Sequence, residues 1–110
     1  SQPAIINQLG ATLKPASFGL TVVQVFEGLA AMDAGILLND VIIALDGHIV
    51  NVQKFQRLLD NAQASTVEIT LIRDGRLITL PLNVVKARPD MAYFTITDEL
   101  KLSKWLGRKN

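Results

Sequence analysis

The chain has no cysteine, one histidine, one tryptophan and one tyrosine in 110 residues, and its formal charge at neutral pH is only +1. Each scarcity removes a class of function. Without cysteine there is no disulfide and no thiolate chemistry, and His48 has no second histidine or cysteine with which to build a zinc site. The compartment stays open, because reducing and oxidising compartments both hold proteins without cysteine. A near-balanced charge gives no long-range field to gather a polyanion, so nucleic acid or an anionic membrane would need a local patch. The one stretch of that kind, Lys101, Lys104, Arg108 and Lys109 around Trp105, has the spacing of a solvated helix face. No apolar run approaches the ~20 residues of a membrane span, and no basic-then-apolar leader precedes Pro3. We therefore expect a soluble piece of a longer protein, with neither nucleic acid nor membrane as a partner. Catalytic signatures are missing too: there is no H-E-x-x-H, no phosphate-cradling glycine loop, and none of Ser1, Ser17, Ser65 and Ser103 lies in a nucleophile elbow. Asp40 and Asp46 bracket one apolar run, and turn chemistry accounts for both. No catalytic residue, metal ligand or cofactor is assigned to this chain.

What is present is aliphatic. Hydrophobic residues make up 49% of the chain and aromatic ones 5%, so Val, Ile, Leu and Ala must build the core. One domain of this length buries roughly 60 to 70% of its unfolded surface. Such a composition suits a small α+β fold. Ala4 to Leu13 reads as a strand interrupted by Gly10, a glycine of the kind that marks close backbone approach. Lys14 to Ser17 reads as a loop, and Leu20 to Phe26 as a central strand apolar on both faces. Asn51 is placed to cap a helix whose residues Val52, Phe55, Leu58, Leu59 and Ala62 fall on one face. Asp74-Gly75 between two β-rich runs specifies a two-residue hairpin. Counting outward pairs Leu71 with Ile78, Ile69 with Leu80 and Val67 with Leu82 on one core-facing side, sets Arg73 against Arg76 at the solvated tip, and limits the strand with Pro81 to an edge or to irregular pairing. Beyond Arg88 the pattern predicts a strand over Met91 to Thr97 and a short helix over Leu100 to Leu106. Residues 1–86 are thus expected to form the domain, and 87–110 an extension packing on it or on a neighbour.

The densest run is Gly28 to Gly47, GLAAMDAGILLNDVIIALDG. Ala30, Ala31 and Ala34 crowd a short helix, Gly35 stops it in a left-handed conformation, Asn39-Asp40 make a polar turn, and Val41 to Leu45 form a β-branched strand closed by Asp46-Gly47. The pattern A-A-x-x-A-G-I-x-x-N-D-x-I-x-A-x-D-G resembles the signature stretch of bacterial PDZ domains. Asn39 stands where that family usually has Gly, and Asn tolerates positive φ next best.

The resemblance implies a PDZ-like small, partly open β-barrel or sandwich of five to six strands with two helices. It also implies function by strand addition: an extended peptide pairs with a sheet edge beside a helix, and backbone N–H groups of a preceding glycine turn hold its terminal carboxylate. By that likeness Leu9, Gly10 and Ala11 are the carboxylate-loop candidates, with Thr12 and Leu13 continuing the pairing edge. Phe18-Gly19-Leu20 is a second, lower-ranked candidate. Val52, at the first position of the longer helix, Gln56 and Leu59 would form the opposite wall. An apolar Val52 favours an apolar ligand, so peptide or protein C-termini and unfolded segments are the implied partners. Leu59 competes with a plain core role. Tyr93-Phe94-Thr95-Ile96 followed by Trp105-Leu106-Gly107 is similar to the C-terminal end of M61 metallopeptidases, the glycyl aminopeptidases. That likeness implies an upstream zinc-bearing peptidase domain outside this chain; the PDZ match alone fits an HtrA-type serine protease equally. In the alternative reading the groove is filled by the chain's own tail past Leu82 and the module serves packing or dimerisation.

Overall fold

A computed structural model describes residues 2–84. The strand and helix expected between Met91 and Leu106, and the boundary between 1–86 and 87–110, lie outside the described residues. Nine elements follow in order: β1 (Ala4–Ile6), β2 (Ala11–Pro15), β3 (Leu20–Val25), α1 (Ala30–Ala34), β4 (Val41–Leu45), β5 (His48–Ile49), α2 (Val52–Asp60), β6 (Thr66–Arg73) and β7 (Arg76–Asn83). The strands form one open antiparallel sheet in the order β1-β2-β3-β4-β6-β7, with β5 paired to β4. This is a PDZ-like α+β architecture of seven strands and two helices among the described residues.

Local chemistry explains most of it. Gly35 ends α1 at φ +88, and its N–H reaches back to Met32 O. Asn39 adopts φ +73, so the turn survives without glycine. Asn51 Oδ1 accepts from Lys54 N at 2.8 Å and caps α2, an interaction worth about 1 kcal/mol. The hairpin register is Leu71↔Ile78, Ile69↔Leu80 and Val67↔Leu82, as counted from a turn in which Asp74 and Gly75 both have positive φ. Among the described residues β7 is an edge strand, one of the two placements Pro81 allows. The core is aliphatic around Phe55, with Ile6, Leu9, Leu13, Leu20, Ile42, Ile69 and Leu82 fully buried.

Four expectations change. Lys14 and Pro15, expected in a loop, continue β2 and pair with Thr21 and Leu20 of β3. Ala4 to Leu13 is not one interrupted strand. The chain reverses through residues 7–10, and β1 folds back antiparallel on β2 with Ala4↔Leu13, Ile5↔Thr12 and Ile6↔Ala11. His48 lies in β5, paired with Leu45 and exposed, rather than in a loop. Arg73 does face Arg76 in register, yet its guanidinium is not left to solvent. It donates to both carboxylate oxygens of Asp40, at 2.9 and 2.7 Å, and to Gly35 O at 2.8 Å.

The Asp40 side chain is 2% exposed and that of Arg73 26%. Asp40 Oδ2 also accepts from Leu37 N, so one carboxylate fixes the turn after α1 and ties it to the end of β6. The hydrogen bond to Asp40 raises the Arg73 pKa above its ordinary value, with desolvation opposing. A raised folded pKa contributes stability that is complete below the unfolded pKa and lost only above it, so the arginine adds no pH dependence from about pH 5 to 10. Arg73→Ala leaves a buried carboxylate uncompensated and is expected to lower unfolding free energy by about 3 kcal/mol in urea titration. Asp40→Asn added to that variant restores at least about 1 kcal/mol, since a neutral amide still accepts from Leu37.

Candidate functional site

The turn between β1 and β2 is shaped by a peptide-plane constraint. Leu9 O accepts from Ala31 N at 2.7 Å, and Gly10 O accepts from Phe26 N at 2.9 Å. A trans peptide points its carbonyl and the following N–H in opposite directions. Fixing Leu9 O on α1 therefore turns the Gly10 N–H away from α1. It converges with the Leu9 N–H on one acceptor, Ile6 O, at 2.8 and 3.2 Å respectively. Gly10 is obligatory for two reasons: its φ is +75, and a Cβ there would overlap Leu29 Cβ. Gly19, in the second candidate loop, serves packing instead. A Cβ on it would lie 2.6 Å from Ile42 O, and its own carbonyl accepts from Ala16 N across the β2–β3 turn.

The edge of β2 carries the other loop candidates. Ala11, Thr12 and Leu13 are all buried and stand opposite Ile6, Ile5 and Ala4. Thr12 Oγ1 donates to Gln24 Oε1 on β3 at 3.4 Å. Across from this edge runs α2. Val52 is half-buried at its first position and lines, with Gln2, Pro15, Phe18, Leu20 and Gln53, a cleft of about 570 Å³. Gln56 is half-buried one turn on, and Leu59 is 2% exposed within the core, the plain packing role that competed for it.

Three polar residues connect the loop to the helix. Gln8 Nε2 donates to Asp60 Oδ1 at 2.6 Å, and Gln56 Nε2 donates to Gln8 Oε1 at 2.6 Å and to Asp60 Oδ1 at 3.1 Å. The structure thus brings the loop candidates Leu9 and Gly10, the edge Ala11 to Leu13 and the wall residues Val52 and Gln56 around one strand position. That position is occupied by β1. Ile6 was not among the expected site residues, nor were Gln8 and Asp60 as a pair. A signal existed: Asn7-Gln8 is a polar pair between two apolar runs, the pattern of a turn.

No group of His, Cys, Asp or Glu among the described residues is arranged to hold a metal ion, and no described helix is long and apolar enough to cross a membrane.

The sequence profile of the PDZ domain family matches residues 7–84, and the chain belongs to that family. PDZ domains are non-catalytic and typically bind peptides. Among solved structures, an aminopeptidase N family protein from Idiomarina loihiensis is 33% identical over 71% of this chain, with a TM-score of 0.64. The HtrA-type protease AlgW with decapeptide is 21% identical over 74% of the chain, at a TM-score of 0.65. Its S227A form, also with decapeptide, gives 21% over 79%, at the same TM-score. The chain spans only 14% of the aminopeptidase-family protein and 29 to 30% of the HtrA-type chains. No curated protein matches it.

Gly10→Ala is expected to cost about 2 to 4 kcal/mol in chemical denaturation, combining left-handed strain with overlap on Leu29. Its amide spectrum should show the Leu9, Gly10 and Ala31 resonances displaced together, because the peptide-plane coupling is lost with the turn.

Proposed function

We propose that this chain is the non-catalytic peptide-recognition domain of a bacterial peptidase, taking apolar C-termini or extended segments by strand addition and assisting substrate recognition. The observation that supports it most is the convergence of the Leu9 and Gly10 N–H groups beside the buried edge of β2, opposite α2. Two donors aimed at one oxygen suit a terminal carboxylate, whose charge strengthens each hydrogen bond relative to a neutral acceptor. Ala11, Thr12 and Leu13 form the pairing edge, and Val52, Gln56 and Leu59 the facing wall. The aliphatic lining argues for an aliphatic terminal residue.

The likeness to an aminopeptidase-family protein at 33% identity supports a peptidase as the parent. Within that reading we place the chain near the C-terminus of an M61-type metallopeptidase, whose zinc would sit in the upstream domain. An H-E-x-x-H upstream in the parent sequence is the expected finding, and a serine protease triad there would instead assign the HtrA type. A second reading, an intramolecular packing module with a self-filled groove, draws support from the presence of β1 in the strand-addition position.

Binding is expected to be modest, roughly −5 to −8 kcal/mol, because a few main-chain bonds and one apolar pocket must offset the ordering of the peptide. The test is an NMR titration with a peptide ending in Ala-Ile-Ile and with its amidated counterpart. Shifts at Leu9 and Gly10 that are larger for the free acid support carboxylate recognition; equal shifts remove that element, and the absence of any shift favours the packing role.

A further inference from the structure

β1 lies where strand addition would place a ligand. It pairs antiparallel with β2 over three residues, starts the sheet order and, among the described residues, pairs with no other strand. Its side chains alternate as a ligand's would: Ile6 is 2% exposed in the core, Ile5 is 48% exposed, and Ala4 is half-buried against the core. Ile6 O accepts the two loop N–H groups that otherwise await a terminal carboxylate. Its direction is also that of a ligand along α2, since Gln2 shares a cleft with Val52 while Gln8 bonds to Gln56 and Asp60 further along the helix.

The same features make β1 a weak occupant. One fully buried side chain anchors it. Pro3, which lacks an N–H, stands immediately before it, so the strand stops at Ala4 while β2 continues through Lys14 and Pro15 with no partner on that side among the described residues. A peptide with a residue other than proline at that point can pair further along β2. Ile6 also offers the loop a neutral carbonyl, where a free C-terminus offers a carboxylate. Short edge strands with few buried apolar contacts belong to the low-stability end of a fold, able to open without global unfolding.

We propose that β1 is a displaceable occupant of the domain's own peptide groove. An extended segment with an aliphatic residue in the Ile6 position and a small one in the Ala4 position binds by stripping Ala4–Ile6 from the edge of β2. Ligand affinity is then reduced by the fraction of molecules in which β1 is seated, a conformational toll set by the competition. This inference rests on the peptide-recognition reading and adds its regulation.

The absence of cysteine makes a clean test available. Ile5 and Thr12 are directly opposite, within the separation a disulfide spans, so the Ile5→Cys/Thr12→Cys chain can be oxidised to hold β1 in place. Binding of the free-acid peptide ending in Ala-Ile-Ile, followed by NMR on the 110-residue chain, should fall at least about tenfold on oxidation and recover on reduction. Ile6→Asp, which puts a carboxylate where an apolar anchor was, should release β1 and tighten binding about tenfold. In the unsubstituted chain at saturation, the Ala4 to Ile6 amides should move to random-coil shifts. Equal affinity in the oxidised and reduced forms, or strand-like shifts for Ala4 to Ile6 in the saturated complex, overturns displacement while leaving peptide recognition standing. Failure of every form, Ile6→Asp included, to bind overturns the recognition reading and the displacement with it.

Discussion

The hydrogen bond from Ala31 N to Leu9 O decides which way the Leu9–Gly10 peptide faces, and the proposed peptide groove depends on that orientation. Turn the peptide over and the Gly10 N–H would point into α1, leaving no pair of donors beside β2. The bond in turn needs α1 close, which is why Ala31 is small and fully buried and why Gly10 can carry no Cβ against Leu29. The segment C-terminal to α1 holds that helix in place: the left-handed Gly35 ends it, and Asp40 then fixes the turn through Leu37 and reaches Arg73 at the end of β6. The turn between β1 and β2, near the start of the chain, is therefore positioned by a partly buried ion pair whose members are 33 residues apart.

The construction creates a problem that β1 resolves. Buried backbone donors without partners cost free energy comparable to a lost hydrogen bond, and a bare strand edge invites pairing with other chains. A groove shaped for strand addition presents both liabilities whenever it is vacant. With Ile6 O on the loop and three residues along β2, the chain satisfies its donors and covers its edge from within. The Gln8, Gln56 and Asp60 cluster then joins the turn to α2 at its solvent-facing rim, where hydrogen bonds between side chains contribute little net stability. The seat is filled with weak contacts, a condition for an occupant that must also leave.

Much of this was legible in the sequence, for identifiable reasons. The Asp74-Gly75 hairpin, the Asn51 cap and the Gly35 stop are local rules in which a few neighbouring residues settle the geometry. The positive φ of Asn39 followed from the same logic. The reversal through residues 7–10 was not legible as such, because alternating apolar residues run on across it and Asn7-Gln8 is a weaker turn signal than Asn-Gly or Asp-Gly. The role of Arg73 was also hidden. Hairpin register placed it against Arg76, but only the tertiary fold brings Asp40 to it, and a long-range pair leaves no periodic trace. The candidate wall could be named from the helical face of α2, whereas its division into core at Leu59 and half-buried positions at Val52 and Gln56 needed the packing of the sheet beneath.

Under the proposed displacement, the groove selects by difference rather than by absolute attraction. The chain as a whole carries +1, so encounter gains little from electrostatic steering. The wall residue Gln56 is already committed to Gln8 and Asp60, and Val52 offers no hydrogen bond to a ligand side chain. What distinguishes one segment from another is then how far it outperforms Ala4-Ile5-Ile6 at the same seat. Length along β2 past Leu13, a terminal charge at Leu9 and Gly10, and fit to the Ile6 pocket each give an incoming strand an advantage that β1 lacks or only matches. Segments without any of these meet an occupant that is covalently attached and therefore at high effective concentration, and they gain no foothold. The threshold is set by three residues of the chain itself, so small changes at Ala4, Ile5 or Ile6 would retune which peptides bind without touching the wall or the loop.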